Sequence, residues 1–295
     1  MTETSHPIRA GIWMLGAVAS FSAMAVAGRE ISVEMNTFEL MMYRSAIGFV
    51  IILLIIARSK RGFSQIQTNN MRLHMKRNVF HFAGQNLWFY GIAVLPFSQL
   101  VSLEFTNPIW VALLAPFFLG EVMTKIKVFA AVIGFIGVLI VAQPGVQPFE
   151  LGHAAGLGAA LFFALNVIYT KQIARIESVL SVIFWMTLIQ FVFALILSIP
   201  GGIPIPTNTG MIWVVVVSIC GLTAHYCLTT ALSLAPATIV APMDFVRLPV
   251  VTILGMILYN EELSRAVIIG ASIIIVGNLI NIRAEQLRQK RNSAA

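Results

Sequence analysis

LPFSQLVSLEFTNPIW, residues 95–110, is apolar at most positions, yet it carries Glu104 and, four residues on, Pro108. Slid along by 140 residues, the chain meets itself in APATIVAPMDFVRLPV, residues 235–250. Pro96 then stands over Pro236 and Glu104-Phe105 over Asp244-Phe245, while further along Glu121 meets Glu261 and Gly137 meets Gly277. At a shift of 142, LGAVA (15–19) meets LGAAL (157–161), Phe21 meets Phe163 and Arg29 meets Lys171. Self-similarity at one long period marks a duplicated fold unit. The reading is two copies, 1–147 and 148–295.

Composition says where those copies live. Of 295 residues, 58% are hydrophobic and 11% charged, with a mean hydropathy of +0.89. Soluble domains carry about 25% charged residues, so most of this chain belongs in a bilayer. A spanning helix needs about 20 apolar residues. Ten such runs are expected, at 10–28, 38–57, 79–95, 97–119, 126–143, 152–170, 180–199, 211–232, 237–259 and 266–282. The first imitates a signal peptide, with Ala25-Val26-Ala27 as a cleavage site, but it matches the sixth and reads as a span. The fold class expected is all-α integral membrane: ten transmembrane helices in two five-helix repeats. Five is odd, so the second copy enters the membrane inverted.

The net charge of +7 and pI of 9.8 come from short basic clusters between apolar runs, which fits membrane-flanking loops better than a nucleic-acid surface. With the N-terminus in the cytoplasm, that side holds Arg9, Arg58, Lys60, Arg61, Arg72, Lys76, Arg77, Lys125, Lys127, Lys171, Arg175 and the C-terminal cluster. The other side keeps Arg29 and Arg265 with most of the acids, which predicts two cytoplasmic termini and puts Glu121 inside and Glu261 outside. The basic segment 58–78 suits anionic lipid heads. Gly152/Gly156 and Ala130/Gly134 are four apart, a spacing for close helix packing or a homodimer surface. Cys220 and Cys227 lie in one apolar run and cannot bridge across a helix.

The order of these features resembles a known family. Two five-helix copies, the short turns LPFSQ and LAPAT, and an acid after the fourth and ninth runs (FFLGEVMT, LYNEEL) look like EamA-type proteins of the drug/metabolite transporter superfamily. The resemblance covers about residues 10–283. It implies an alternating-access carrier, most often a bacterial inner-membrane exporter of amino acids or related metabolites, and the chain looks most like the amino-acid exporters, aromatic ones included. No cofactor or metal is implied.

The intramembrane polar residues are the site candidates. Carboxylates in hydrocarbon cost about 2.5–3.5 kcal/mol on insertion scales, so Glu104 and Asp244 should face the bundle interior. They either meet a substrate ammonium or a proton, or form structural ion pairs: Asp244 with Arg247 one turn on, Glu104 with Arg44. Proline has no amide hydrogen, so Pro108 frees the carbonyl of Glu104 and Pro249 that of Phe245. Such breaks mark binding sites in several transporter folds, though a plain kink would also explain them. His81, Gln85 and Trp88 share one helical face. With Asn107, Asn166, Tyr169, Trp185 and His225 they complete the proposed lining. Each aromatic could instead pack against lipid, and each histidine could be structural. The chain has no G-x-x-x-x-G-K-[ST] loop. A channel, or a membrane enzyme using Glu104 with His81 or His225, are the alternatives to a carrier.

Overall fold

Local sequence sets the helix ends. Asn36 accepts the amides of Phe38 and Glu39 while Glu39 returns to the Asn36 amide, a reciprocal cap that starts α2, Thr37–Arg58. Asn70, Ser178 and Thr207 each accept one amide, from Leu73, Ser181 and Gly210, and so cap α3 (Met71–Val94), α8 (Val179–Ser198) and α9 (Asn208–Leu234). The computed structural model describes residues 6–120, 124–142 and 149–294. The other helices are α1 (Pro7–Ile31), α4 (Phe97–Glu104), α5 (Asn107–Leu119), α6 (Lys125–Ala142), α7 (Leu151–Ala174), α10 (Ala237–Met243), α11 (Arg247–Tyr259) and α12 (Arg265–Ala294). Glu121 and the boundary at 147/148 lie outside the described residues.

The runs expected as single spans at 97–119 and 237–259 are each broken. α4 stops at Glu104 and α5 starts at Asn107, with Pro108 in its first turn, where a missing amide costs nothing. In the second copy a short 3-10 turn, Asp244–Val246, joins α10 to α11. Both broken pairs end alike. Gly120 (φ 69°) closes α5 and Asn260 (φ 51°) closes α11, each in the left-handed conformation that glycine and asparagine tolerate best.

Among the described residues every regular element is helical. Seven stretches are long and apolar enough to cross a bilayer: 8–31, 37–58, 97–119, 151–174, 179–201, 208–234 and 239–259. α3 falls short because polar residues occupy one of its faces, and α6 and α12 contribute only the shorter apolar stretches Val132–Val141 and Arg265–Gly277. Large apolar side chains such as Ile12, Leu54, Phe117, Ile196 and Ile257 are exposed on the perimeter. A water-soluble surface would not carry so many; this is a multi-pass membrane protein.

The helices pack in a pattern that maps onto itself. α1 lies along α9 and α3 along α7, while α4 meets α11 and α5 meets α10. Moving each label on by six exchanges the members of each set. The pairs α2–α8 and α6–α12 map onto themselves. At the α6–α12 crossing, a Cβ on Gly137 would sit 2.7 Å from the Gly270 carbonyl oxygen, so the two backbones touch. Gly152 and Gly156 pack against Leu95 and Leu103 inside the chain, so that face is not free for a dimer.

Two charges expected in solvated loops are inside. α3 begins at Met71, and Arg77, on its second turn, is 1% exposed. Lys171 is 3% exposed and its Nζ donates to the Leu232 carbonyl at 3.0 Å. Both keep their apolar stems among neighbouring helices, and backbone or side-chain acceptors replace water.

Candidate functional site

The breaks bring the two acids to one place. Arg247 sits at the first turn of α11, and its Nη2 donates to Glu104 Oε1 and to Asp244 Oδ2, each at 2.6 Å. Its Nε donates to Asp244 at 3.0 and 3.2 Å. Trp88 Nε1 donates to the other Glu104 oxygen at 2.7 Å. One guanidinium therefore ties both broken segments together, and the formal charge of the three groups is −1. The expected Glu104–Arg44 pair does not form. Arg44 instead donates to Gln85 Oε1 at 2.5 Å. The reason is topological: α4 packs against α11, which puts a residue 143 positions away within reach of Glu104.

The triad forms part of the wall of a cavity with about 680 Å³ of space between its lining atoms, open region included. Small-molecule sites run from about 300 to 1,000 Å³. Gln85, Trp88, Glu104, Asn107, Asn166, His225, Asp244 and Arg247 line it, as the sequence reading placed them. Phe21, Phe105, Phe163 and three more apolar side chains, Met14, Met24 and Leu228, complete most of the rest. The Phe21–Phe163 correspondence between repeats was a signal for two of these; the methionines gave none.

Three expected residues do not line the cavity. His81 stands one layer behind it, with Nε2 3.1 Å from His225 Nε2 and its other ring nitrogen on Gln190. Tyr169 is one turn beyond Asn166 on α7, so the 4.5 Å rise carries its ring out of the cavity to stack on Phe80. Trp185 is near the start of α8, where its indole nitrogen donates to the Gln67 carbonyl at 2.8 Å.

A second cluster ties the end of α1 to α3, α4 and the segment after α11. Arg29, in the last turn of α1, pairs with Glu261 and donates to the Leu95 carbonyl and to the Ile92 carbonyl, the last at 3.0 Å. Its guanidinium lies 3.7 Å from the Phe97 ring centroid. Glu261 also accepts the Phe97 amide at 2.8 Å. Tyr259 donates to Glu30 at 2.8 Å. The Arg29–Ile92 contact has a counterpart in the Lys171–Leu232 contact, at the same repeat shifts of 142 and 140.

Trp88→Phe tests the indole's contribution. Phenylalanine keeps one ring, leaves a small cavity where the other was, and loses one bond to a buried carboxylate; the bond alone costs about 1.5–3 kcal/mol. The expected result is a lowered melting temperature for the purified protein, read from the melting midpoint; an unchanged melt would mean that water replaces the indole.

Comparison with known proteins agrees with this geometry. A family model described as EamA-like transporter family matches residues 8–143 and again 150–283. An S-adenosylmethionine uptake transporter of Rickettsia bellii is 25% identical over 93% of each chain. A riboflavin transporter of Rhizobium johnstonii is 25% identical over 98% of this chain and 96% of its own. One from Brucella anthropi is 29% identical over 82% of this chain and 87% of its own. A solved crystal structure superposes with a TM-score of 0.70 at 17% identity, covering 94% of this chain and 98% of that one, which speaks to the fold alone. None of these relatives is named for amino acids or for export, so those two expectations find no support here.

Proposed function

We propose, from the premise that the chain belongs to the EamA-like transporter family, that it is a secondary carrier for a metabolite joining a flat heterocycle to a cationic or amine-bearing part. Small-metabolite transport is the family's ground; the substrate class is our reading of the site. The observation that carries it is the acidic triad on the cavity wall, where two carboxylates share one guanidinium. A site with a formal surplus of one negative charge favours a cation over an anion. Trp88, Phe21, Phe105 and Phe163 offer flat apolar surface beside it. S-adenosylmethionine and riboflavin, named for the relatives, are both flat-ringed. The first also carries a sulfonium and an ammonium, which suits the triad better.

The mechanism we propose is rocking of two inverted five-helix halves, ten spans in all with α4–α5 and α10–α11 each counted as one, about the central cavity. The packing pattern that maps onto itself supports this, as do the paired Arg29 and Lys171 contacts. With an inverted second half those two contacts, both formed in this structure, fall on opposite faces and brace each half in the same way. The halves meet at 147/148, both termini are cytoplasmic, and the membrane is the bacterial inner one. Direction follows the solute gradient, and relatives named for uptake favour import over export.

Counterflow in liposomes tests the reading. Unlabelled S-adenosylmethionine inside should accelerate entry of the labelled compound with saturation, more strongly than riboflavin inside does. Flux that never saturates would make the protein a channel, and no exchange of either compound would remove the substrate class.

A further inference from the structure

The central cavity has a second pole. Gln85 stands one turn before Trp88 on α3, about 4.5 Å along the axis from the indole that holds Glu104. It is on the cavity wall and 1% exposed. Arg44 Nη1 approaches its side chain at 2.5 Å. A guanidinium has donors and no acceptor, so the amide atom that faces Arg44 is the oxygen. Nε2 is then the outer end. It donates to nothing among the described residues, and it is not sealed in the packing as His225 Nδ1 is.

Arg44 has no other group to share its charge with. No carboxylate among the described residues pairs with it; the buried ion pairs belong to Glu104, Asp244 and Glu177. A Cβ on Gly221 would come within 2.5 Å of Nε and 2.8 Å of Nη2, so the α9 backbone covers that edge. Nη1 is the end that finds partners, the Gln85 oxygen and the Met41 sulfur. A bond from a charged donor polarises the amide that accepts it and makes the opposite N–H a stronger donor. The guanidinium charge is felt in the cavity through Gln85, without the guanidinium entering it. Other polar groups on the wall do not match this. Asn107 spends its amide nitrogen on the Ala160 carbonyl at 3.1 Å, and His225 turns Nε2 to His81. Asn166 makes no side-chain hydrogen bond among the described residues, so nothing fixes which end of its amide meets a solute.

We propose that Gln85 determines specificity: its amide nitrogen, oriented by Arg44, donates to an acceptor on the ring of the solute, a ring nitrogen or a carbonyl oxygen. The inference rests on the reading of the cavity as a site for a flat-ringed cation. The cation lies against the triad and the acceptor about one helical turn away, so the site discriminates against rings that carry no acceptor. Arg44 is a positioning residue and acts only through Gln85.

The test is calorimetric titration of purified full-length protein in detergent with matched probes. Benzyltrimethylammonium has a flat ring, a fixed cation and no acceptor. Its three pyridylmethyl counterparts replace one ring CH by nitrogen. At least one pyridyl isomer should bind about tenfold tighter than the phenyl probe, the scale of one well-made hydrogen bond. Without a donor at the site the ring nitrogen would only lose water, and the pyridyl probes would bind more weakly. Gln85→Glu gives Arg44 a counter-charge and turns an acceptor to the cavity, so the preference should invert. Gln85→Met keeps the length, removes the donor and should abolish it, which covers a Glu variant that fails to fold. Arg44→Lys, still a donor alone, should keep the preference that Arg44→Met loses. Equal or weaker pyridyl binding to the native protein, or a preference that persists in either folded Gln85 variant, overturns the proposal. A preference unchanged in Arg44→Met removes Arg44 from the orienting role. A native protein that binds none of the four cations overturns the substrate reading itself, a result distinct from four cations bound alike.

Discussion

Arg247→Met is expected to give a protein that unfolds early and exchanges no solute. Removing one member of a buried ionic cluster costs about 3–5 kcal/mol, because the partners stay buried without a counter-charge. Here there are two partners. Glu104 would keep only the Trp88 indole, and Asp244 would lose all three of its contacts with the guanidinium. The two carboxylates would then repel across the junction of the broken helices, the point where the halves have to move together. Arg247→Lys is the informative companion. Lysine keeps the charge but not the fork, so it cannot hold Glu104 through one nitrogen while gripping Asp244 through another. Its melt should recover most of the loss and its exchange rate should not. Tryptophan-fluorescence melts and liposome counterflow read the two properties separately. An Arg247→Met protein that melts and exchanges like the native one would show that the triad holds nothing together.

That triad also marks how far the sequence could be read. The seven apolar stretches long enough to span, the breaks near Pro108 and Pro249, and the inward acids follow from rules that act within a helix, and the helices carry them out; the other three expected runs are too polar or too short among the described residues to count as spans. Eight of eleven chosen lining residues are on the cavity wall, because α3 and the repeat alignment gave their faces. The partner of Glu104 was misread since the ion pair depends on which helix packs on α4, and no local signal encodes that. The alignment of Glu104 with Asp244 did hold the clue: if the two positions approach each other, Arg247 reaches both. Tyr169 and Trp185 were misplaced by a different error. Apolar periodicity gives the face of a helix but not the depth along it: Tyr169 stands too far along α7 and Trp185 too near the start of α8. Arg44 and Arg77 were counted as a pairing partner and as a loop charge, because a long basic side chain gives the same letter whether it snorkels or stays inside.

Glu104→Gln should separate fold from function. Glutamine fills the same space and still accepts from Trp88 through its carbonyl, while Arg247 keeps its bonds to Asp244. The formal charge of the three side chains goes from −1 to zero, so the buried cluster loses its excess charge rather than its counter-charge. The amide NH2 then faces Arg247 Nη2, donor against donor, in place of a bond to a buried carboxylate, so a loss of about 1–3 kcal/mol is expected. Exchange of a cationic solute is expected to fall at least about 100-fold, the scale of a buried charge contact worth about 2.7 kcal/mol. Asp244→Asn leaves the same formal charge but weakens the pair between the 3-10 turn and the first residue of α11, so it should lose stability as well as exchange. A carrier whose only use for Glu104 is to brace Arg247 predicts a Glu104→Gln protein that is less stable and still exchanges solute at the native rate. The two variants, melted and assayed side by side, decide whether the surplus carboxylate exists for the solute or for the helices.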